Sequence, residues 1–293
     1  MLNKRLDIDS VIGRLSDGMT IGIGGWATRR KPMALVRALV RSSLKDLTVV
    51  SYGGPEVGML AASGKLKKLV FGFVSLDHFP LDPYFRAARQ AAALEVMELD
   101  EGMVYWGLRT AAMGMPFLPT RVGIGSDVLK NNPDIKLVTS PYADGEEFVA
   151  MPPLKLDAAL IHVHAADQRG NCIVKSPDPF FDEIMSRAAK QVFVSAEKIV
   201  STEELNIPEN TRFTPFERSL VTGIVEAPFG AHPTGSSPDY GIDMGHLKEY
   251  AGGGTPEAWA AYRQKYVDLK DHAAYIAAVG GKEHISALPA PIY

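Results

Sequence analysis

The segment Glu98-Leu99-Asp100-Glu101-Gly102-Met103 places carboxylates where an apolar run gives way to a helical one. Asp100 reads as the N-cap of a helix over 103–113, which puts Glu101 in the first turn, where the helix dipole favours a charged carboxylate. In an open α/β sheet such a strand end borders the ligand crevice. An ionised carboxylate there can take a proton from water or from a substrate carbon. The plainer alternative is a cap followed by a first-turn Glu, common on any helix.

A second candidate is Gly22-Ile23-Gly24-Gly25-Trp26-Ala27. Gly22, Gly24 and Ala27 fit the loose dinucleotide fingerprint, but the next strand ends Ser51-Tyr52-Gly53, without the acid that would hold a ribose. A dehydrogenase is therefore disfavoured. Glycine backbone N–H groups can still approach an anion or a thioester carbonyl, and a tight turn without a ligand is the alternative. Arg29, Arg30 and Lys31 then precede Pro32 at a helix start. Cations at the positive end of a helix invite a ligand's carboxylate or phosphate, or an acidic surface on a partner, unless they are solvated surface charges.

Residues 114–127 are too rich in Pro and Gly for a helix or a central strand, so an ordered loop is expected. Within it Arg121 can fork onto a carboxylate, and Gly123 and Ser126 can bring backbone donors to a ligand. A structural loop is the alternative. His162 and His164 share one strand face, yet no third ligand stands at a readable spacing, so no metal is expected. Glu197 and Glu226 also close strands. Cys172 lacks an identifiable base and is a poor nucleophile candidate.

These residues need a frame, and short apolar runs alternating with amphipathic ones supply it. Strand-like runs fall at 19–23, 47–51, 69–76, 94–99, 135–139, 158–163, 192–195 and 220–226, with a helix over 32–43. Most are apolar throughout, as in strands covered on both faces. The expected fold is α/β: an open, mostly parallel sheet flanked by helices, spanning residues 1–232. Residues 233–293 read as a Pro- and Ser-rich linker and a helical extension. Thr255-Pro256-Glu257 starts a helix whose Trp259, Tyr262 and Tyr266 share one face, a packing surface for the body or for a partner.

The chain has 293 residues and a formal charge of −3, so no basic excess suits nucleic acid. One cysteine excludes a disulfide framework. The amino-terminal stretch carries no apolar targeting segment, and no run of about eighteen apolar residues follows, so a cytoplasmic protein without a membrane partner is expected.

Several longer strings resemble one family. They are residues 22–32, Pro116-Phe117-Leu118-Pro119-Thr120-Arg121, Ala159-Leu160-Ile161-His162-Val163-His164-Ala165-Ala166-Asp167, Ser195-Ala196-Glu197-Lys198-Ile199-Val200 and Val225-Glu226-Ala227-Pro228-Phe229-Gly230. The chain is similar over about residues 5–235 to class I coenzyme A transferases, of the glutaconate CoA-transferase alpha-subunit type. The spelling at Gly25-Trp26, Arg29-Arg30-Lys31-Pro32-Met33, Gly72-Phe73-Val74-Ser75-Leu76-Asp77 and Asp100-Glu101-Gly102-Met103 resembles a branch that hydrolyses the last ring of cholesterol and other steroids. That resemblance implies an (αβ)₂ heterotetramer with a beta subunit, and an acyl-CoA substrate that carries its own coenzyme A, with no other cofactor. It implies C–C hydrolysis of a cyclic β-keto thioester, with Glu101 as the catalytic carboxylate. Arg121, Arg29 and Arg30 would serve a substrate carboxylate or developing charge, and Gly24, Gly25 and Trp26 would border the thioester. The competing readings are an alpha subunit of a true CoA transferase, which moves CoA between acids through a partner's glutamate, and a non-catalytic sensor of small molecules.

Overall fold

The computed structural model describes residues 3–142 and 144–290; Met1, Leu2 and the last three residues of the expected extension lie outside it. Among the described residues eleven strands run in chain order: β1 (Thr20–Ile23), β2 (Leu47–Gly53), β3 (Leu66–Val74), β4 (Glu95–Glu98), β5 (Leu118–Thr120), β6 (Lys136–Thr139), β7 (Glu147–Met151), β8 (Leu156–Asp167), β9 (Cys172–Ile173), β10 (Ala189–Val200) and β11 (Gly223–Glu226). Seven form a parallel path in the order β11-β10-β8-β1-β2-β3-β4, and β9 pairs antiparallel with β8. Strand order reverses at β1, which is hydrogen-bonded to β2 on one side and β8 on the other. Such a switch point opens a crevice outside the carboxyl ends of the strands.

Alternation along the strands divides the interior in two. Val49, Leu69, Phe71 and Leu160 enter the core on one side of the sheet, and Val50, Val70, Ile161 and Val163 enter the core on the other. Burial on both faces explains the near-continuous apolar runs. Helix Met33–Arg41 is buried along almost its whole length in the first core. Helix Glu101–Ala112 lies on the second.

The structure differs from expectation in two places. Residues 136–139 are a strand of a separate sheet, β5-β7-β6, antiparallel and lying against helix Glu101–Ala112. Its β5 falls inside the stretch expected to be a loop; Pro119 is accommodated because β5 is an edge strand. The turn-rich stretch after Pro233 is not a solvated linker. Thr234 and Ser236 are buried, Gly235 donates its N–H to the Thr28 carbonyl at 3.0 Å and accepts from the Arg30 N–H at 2.7 Å.

Beyond it run helices Met244–Ala251, Pro256–Tyr266, His272–Ala278 and Gly281–Ser286. Thr255 caps the second of these by accepting from the Ala258 N–H. Trp259, Tyr262 and Tyr266 are buried in the same core as Leu35 and Leu39, with the Trp259 ring 5.4 Å from Tyr84 and the Tyr262 ring 5.2 Å from Tyr250. The extension thus completes the first core. Among the described residues no helix is long and apolar enough to cross a membrane.

Removing that contribution should be costly: Trp259→Ala is expected to destabilise the chain by about 3–5 kcal/mol, the usual range for a buried Trp. Urea denaturation measures it, and a loss below about 1 kcal/mol would show that the extension is not part of the core. Acid should also weaken the fold. Burial lowers both His164 and His246 to about 3, whereas unfolded histidines bind protons below about pH 6.5. Their contribution is full above that pH and falls as acid is added, by about 1.4 kcal/mol per pH unit for each. Asp82, raised by burial to about 7, works in the opposite direction over the same window, but burial also lowers His272, to about 4, and His232, so Asp82 stands against four histidines. Stability should therefore fall between pH 6.5 and 5; a flat or rising profile would contradict the assignment of these rings as neutral.

Candidate active site at the strand ends

Glu101 opens helix Glu101–Ala112, as its sequence spacing predicts. Asp100 is extended and accepts from the Gly102 N–H at 2.7 Å, completing the cap. Two further contacts fix the Glu101 backbone. Its carbonyl accepts from the Tyr52 hydroxyl at 3.1 Å, and Gly72 lies so close that a Cβ there would come within 2.8 Å of the Glu101 Cα. Burial, reinforced by the Glu101 charge, raises the Tyr52 phenol well above its usual range, so it remains the donor. The Glu101 side chain is half-buried, with Oε1 3.3 Å from the indole Nε1 of Trp26.

Around this carboxylate, rings gather from the carboxyl ends of adjacent strands. Trp26 follows β1, Tyr52 lies at the end of β2 and Phe73 near the end of β3, while Tyr105 stands on the Glu101 helix. Phe180 and Phe181 come from the turn before helix Asp182–Ala188. Trp26 meets Phe73 edge-on at 5.0 Å, and Tyr52 stacks on Phe181 at 4.0 Å. All but Tyr52 are half-buried, so the set forms an apolar wall rather than a sealed core. Beside the Asp100 cap, a cavity of about 430 Å³ is lined by Gly72, Asp100, Gly123, Ile124 and Ser126, and neither Glu101 nor any of the six rings lines it.

The glycine loop does not offer the backbone donors its composition suggests. Gly24 N–H is spent on the Leu160 carbonyl at 2.9 Å, Gly25 N–H on Asp182 Oδ1 at 2.9 Å, and Ala27 N–H on the Tyr52 carbonyl at 3.1 Å. Its glycines answer a steric need instead. At Gly25, φ is +73° and a Cβ would come within 2.5 Å of the Arg29 carbonyl oxygen.

The three cations after the loop have separate fates. Arg30 is 1% exposed and pairs with Asp182 at 2.5 Å, donating also to the carbonyls of His162 and Pro179. Lys31 is buried 2.8 Å from Glu56 and also donates to the Tyr52 carbonyl. Burial lowers the Lys31 ammonium from its ordinary value, against the pull of Glu56. The charge that suggested an anionic ligand is thus neutralised inside the fold at both positions, and Arg30 is turned into the interior, its Nε buried without a hydrogen-bond partner among the described residues. Arg29 is partly exposed, its guanidinium 4.8 Å above the Trp26 ring and 3.9 Å from Asp77. Arg121 is exposed on the small sheet, forked onto Glu146 and stacked 5.1 Å over Phe148. The acid that sequence reading gave to a substrate is here one of the chain's own.

His162 and His164 share a face but hold no common ligand. His162 bonds Ser195 Oγ at 2.9 Å and Glu197 at 2.7 Å. His164 accepts from the Lys175 N–H and so donates from Nε2 to the Ser237 carbonyl. Burial pushes Glu197 up, but His162 and hydrogen bonds from His162, Tyr240 and the Phe229 N–H outweigh it and hold the carboxyl below its usual range. Among the described residues no group of His, Cys, Asp and Glu could hold a metal. Cys172 is buried, which raises its thiol far above the range of a nucleophile. A wider opening of about 640 Å³ at the β11 edge is lined by opposed charges such as Arg5, Asp7, Glu226 and Lys270, away from Glu101.

Sequence reasoning did not single out Phe180, Phe181, Tyr105 or Asp182. The adjacent aromatics in Pro177-Asp178-Pro179-Phe180-Phe181 were a readable signal, because an apolar pair in a polar proline-rich turn needs a purpose. Asp182 gave none; its partners are 152 and 157 residues away.

A parallel sheet that reverses at a glycine loop, with a carboxylate on a strand end, defines an open α/β enzyme fold, and the chain belongs to the coenzyme A transferase family, whose model matches residues 5–227. It is 48% identical to a cholesterol ring-cleaving hydrolase IpdA subunit of Rhodococcus jostii, over 90% of this chain and 92% of the relative. The subunit of the same name from Mycobacterium tuberculosis is 46% identical over 95% and 98%. Among solved structures, glutaconate coenzyme A-transferase from Acidaminococcus fermentans superposes with a TM-score of 0.91 at 28% identity, covering 97% of this chain and 95% of that one.

The Arg30–Asp182 pair supplies a direct test of the inward role given to Arg30. Arg30→Ala leaves Asp182 buried without its cation and should cost about 3–5 kcal/mol of stability. A variant that melts like the parent and loses only substrate affinity would return Arg30 to a ligand-binding role.

Proposed function

We propose that this chain is the alpha-type subunit of a heteromeric hydrolase that opens the last steroid ring by cleaving a C–C bond of a cyclic β-keto acyl-CoA. The observation that carries the reading is the Glu101 carboxylate at a strand end, held beside a half-buried aromatic wall. The wall suits a hydrocarbon ring, and the carboxylate suits a water molecule that must lose a proton. The names of the two relatives in Rhodococcus and Mycobacterium support the substrate class.

In this reading Glu101 removes a proton from water, and the hydroxide adds to the ring ketone. The tetrahedral alkoxide then collapses, the ring C–C bond breaks, and its electron pair passes to the carbon next to the thioester, which delocalises it. Protonated Glu101 returns the proton to that carbon. One oxygen from water enters a new carboxylate, and coenzyme A stays attached. Because the Gly24 and Gly25 N–H groups are occupied, they do not stabilise the alkoxide. Arg29, over the Trp26 ring, is the cation nearest this chemistry within the loop. Arg121 would reach a substrate carboxylate only by exchanging Glu146 for it. Gly123 and Ser126 line the cavity beside the Asp100 cap and would contact the part of the substrate that extends there.

The relatives are named as subunits, and the reading includes a beta partner, an (αβ)₂ assembly, a cytoplasmic setting and no cofactor beyond the coenzyme A of the substrate. Glu101→Gln in the complex with that partner should keep the fold and lose at least about a hundredfold in kcat, the scale of a general base. Steady-state turnover of a cyclic β-keto acyl-CoA checks it, and near-normal turnover would remove Glu101 from the mechanism.

A further inference from the structure

We propose that Trp26 positions the catalytic carboxylate, its indole N–H holding one Glu101 oxygen so that the other is presented to water. The proposal rests on the reading of Glu101 as the general base. Among the described residues the Trp26 indole is the only donor to the Glu101 carboxylate, at 3.3 Å from Oε1. The Glu101 backbone is held by Tyr52 and by the helix cap, and it packs against Gly72, where a side chain would not fit. What those contacts leave free is rotation of the side chain, and that freedom is what the indole removes.

A positioning group must itself be fixed. Trp26 and Arg29 exchange two backbone hydrogen bonds of 2.9 Å, closing a tight turn through Ala27, whose φ is +48°. The ring is bounded by the edge of Phe73 at 5.0 Å, by Phe180 lying parallel at 6.4 Å and by the Arg29 guanidinium 4.8 Å from its centre. Beneath the turn, Gly25 is pinned to Asp182 and Ala27 to Tyr52. A cation over the ring face draws electron density from the indole and strengthens its N–H as a donor. An apolar wall alone would have no use for the direction of that N–H. Here it faces the Glu101 carboxylate.

Displacing a reacting group by about 1 Å can cost a hundredfold in rate, so loss of the N–H should appear in kcat. The test replaces Trp26 with 3-benzothienylalanine, which keeps the bicyclic ring and exchanges the N–H for sulfur, alongside Trp26→Phe and Glu101→Gln, all in complex with the partner subunit. The benzothienyl variant is expected to lose about tenfold or more in kcat, with KM within about twofold and an unchanged melting temperature. Trp26→Phe should lose at least as much in kcat and also raise KM, because it shortens the wall. Parental kcat in the benzothienyl variant, with Glu101→Gln inactive, would overturn the positioning role and leave the base in place. A loss confined to KM would reassign Trp26 to substrate contact alone. Parental turnover by Glu101→Gln would overturn both readings.

Discussion

The site depends on a buried ion pair. Arg30 and Asp182 meet at 2.5 Å where the order of the sheet reverses, and each also bonds a backbone group of another segment. Asp182 takes the Gly25 N–H, and Arg30 takes the carbonyls of His162 at the β8 end and of Pro179 before the aromatic turn. Three chain segments, remote in sequence, are thereby held in one register. Withdrawing two charges from water is unfavourable unless geometry and further hydrogen bonds compensate. These additional bonds make the pair tolerable, and they fix the loop that carries Trp26.

Burial sorts charges that the sequence presents as equivalent. An exposed pair such as Arg121–Glu146 contributes about 0.2–1 kcal/mol and can exchange its partner. A buried pair such as Lys31–Glu56 cannot, since parting it strands a charge in the interior. Basic residues near a candidate site therefore differ in what they can offer a ligand. Arg29 remains accessible because the ring of Trp26 and a distant Asp77, rather than a buried carboxylate, are its neighbours.

Much of the frame was legible in the sequence because its causes are local. Apolar runs marked the strands, the Asp100 and Thr255 caps marked helix starts, and the aromatic spacing from Trp259 to Tyr266 marked a packing face. The placement of Glu101 was legible for the same reason, as a carboxylate one residue past a cap, whereas a catalytic role for it came from the resemblance and not from the spacing. What was hidden depends on contacts between distant segments. The Gly24 and Gly25 N–H groups look free in sequence, yet their acceptors, Leu160 and Asp182, lie in segments more than a hundred residues away. Arg30 looked like a ligand group because nothing local announces Asp182. The stretch after Pro233 looked like a linker because turn residues are the same whether solvated or buried; only the bonds from Gly235 to Thr28 and Arg30 distinguish the cases.

A strand-end carboxylate beside an aromatic wall is suited to breaking a ring by adding water, whereas a CoA transferase moves coenzyme A between acids and leaves the carbon skeleton whole. The two are separated most directly by mass spectrometry of the assembled enzyme acting on a cyclic β-keto acyl-CoA in water enriched in oxygen-18, with acetate present. Hydrolytic ring opening predicts a product that retains coenzyme A and carries one heavy oxygen in a new carboxylate. An intact ring with coenzyme A transferred to acetate would contradict it and make this chain the subunit of a transferase.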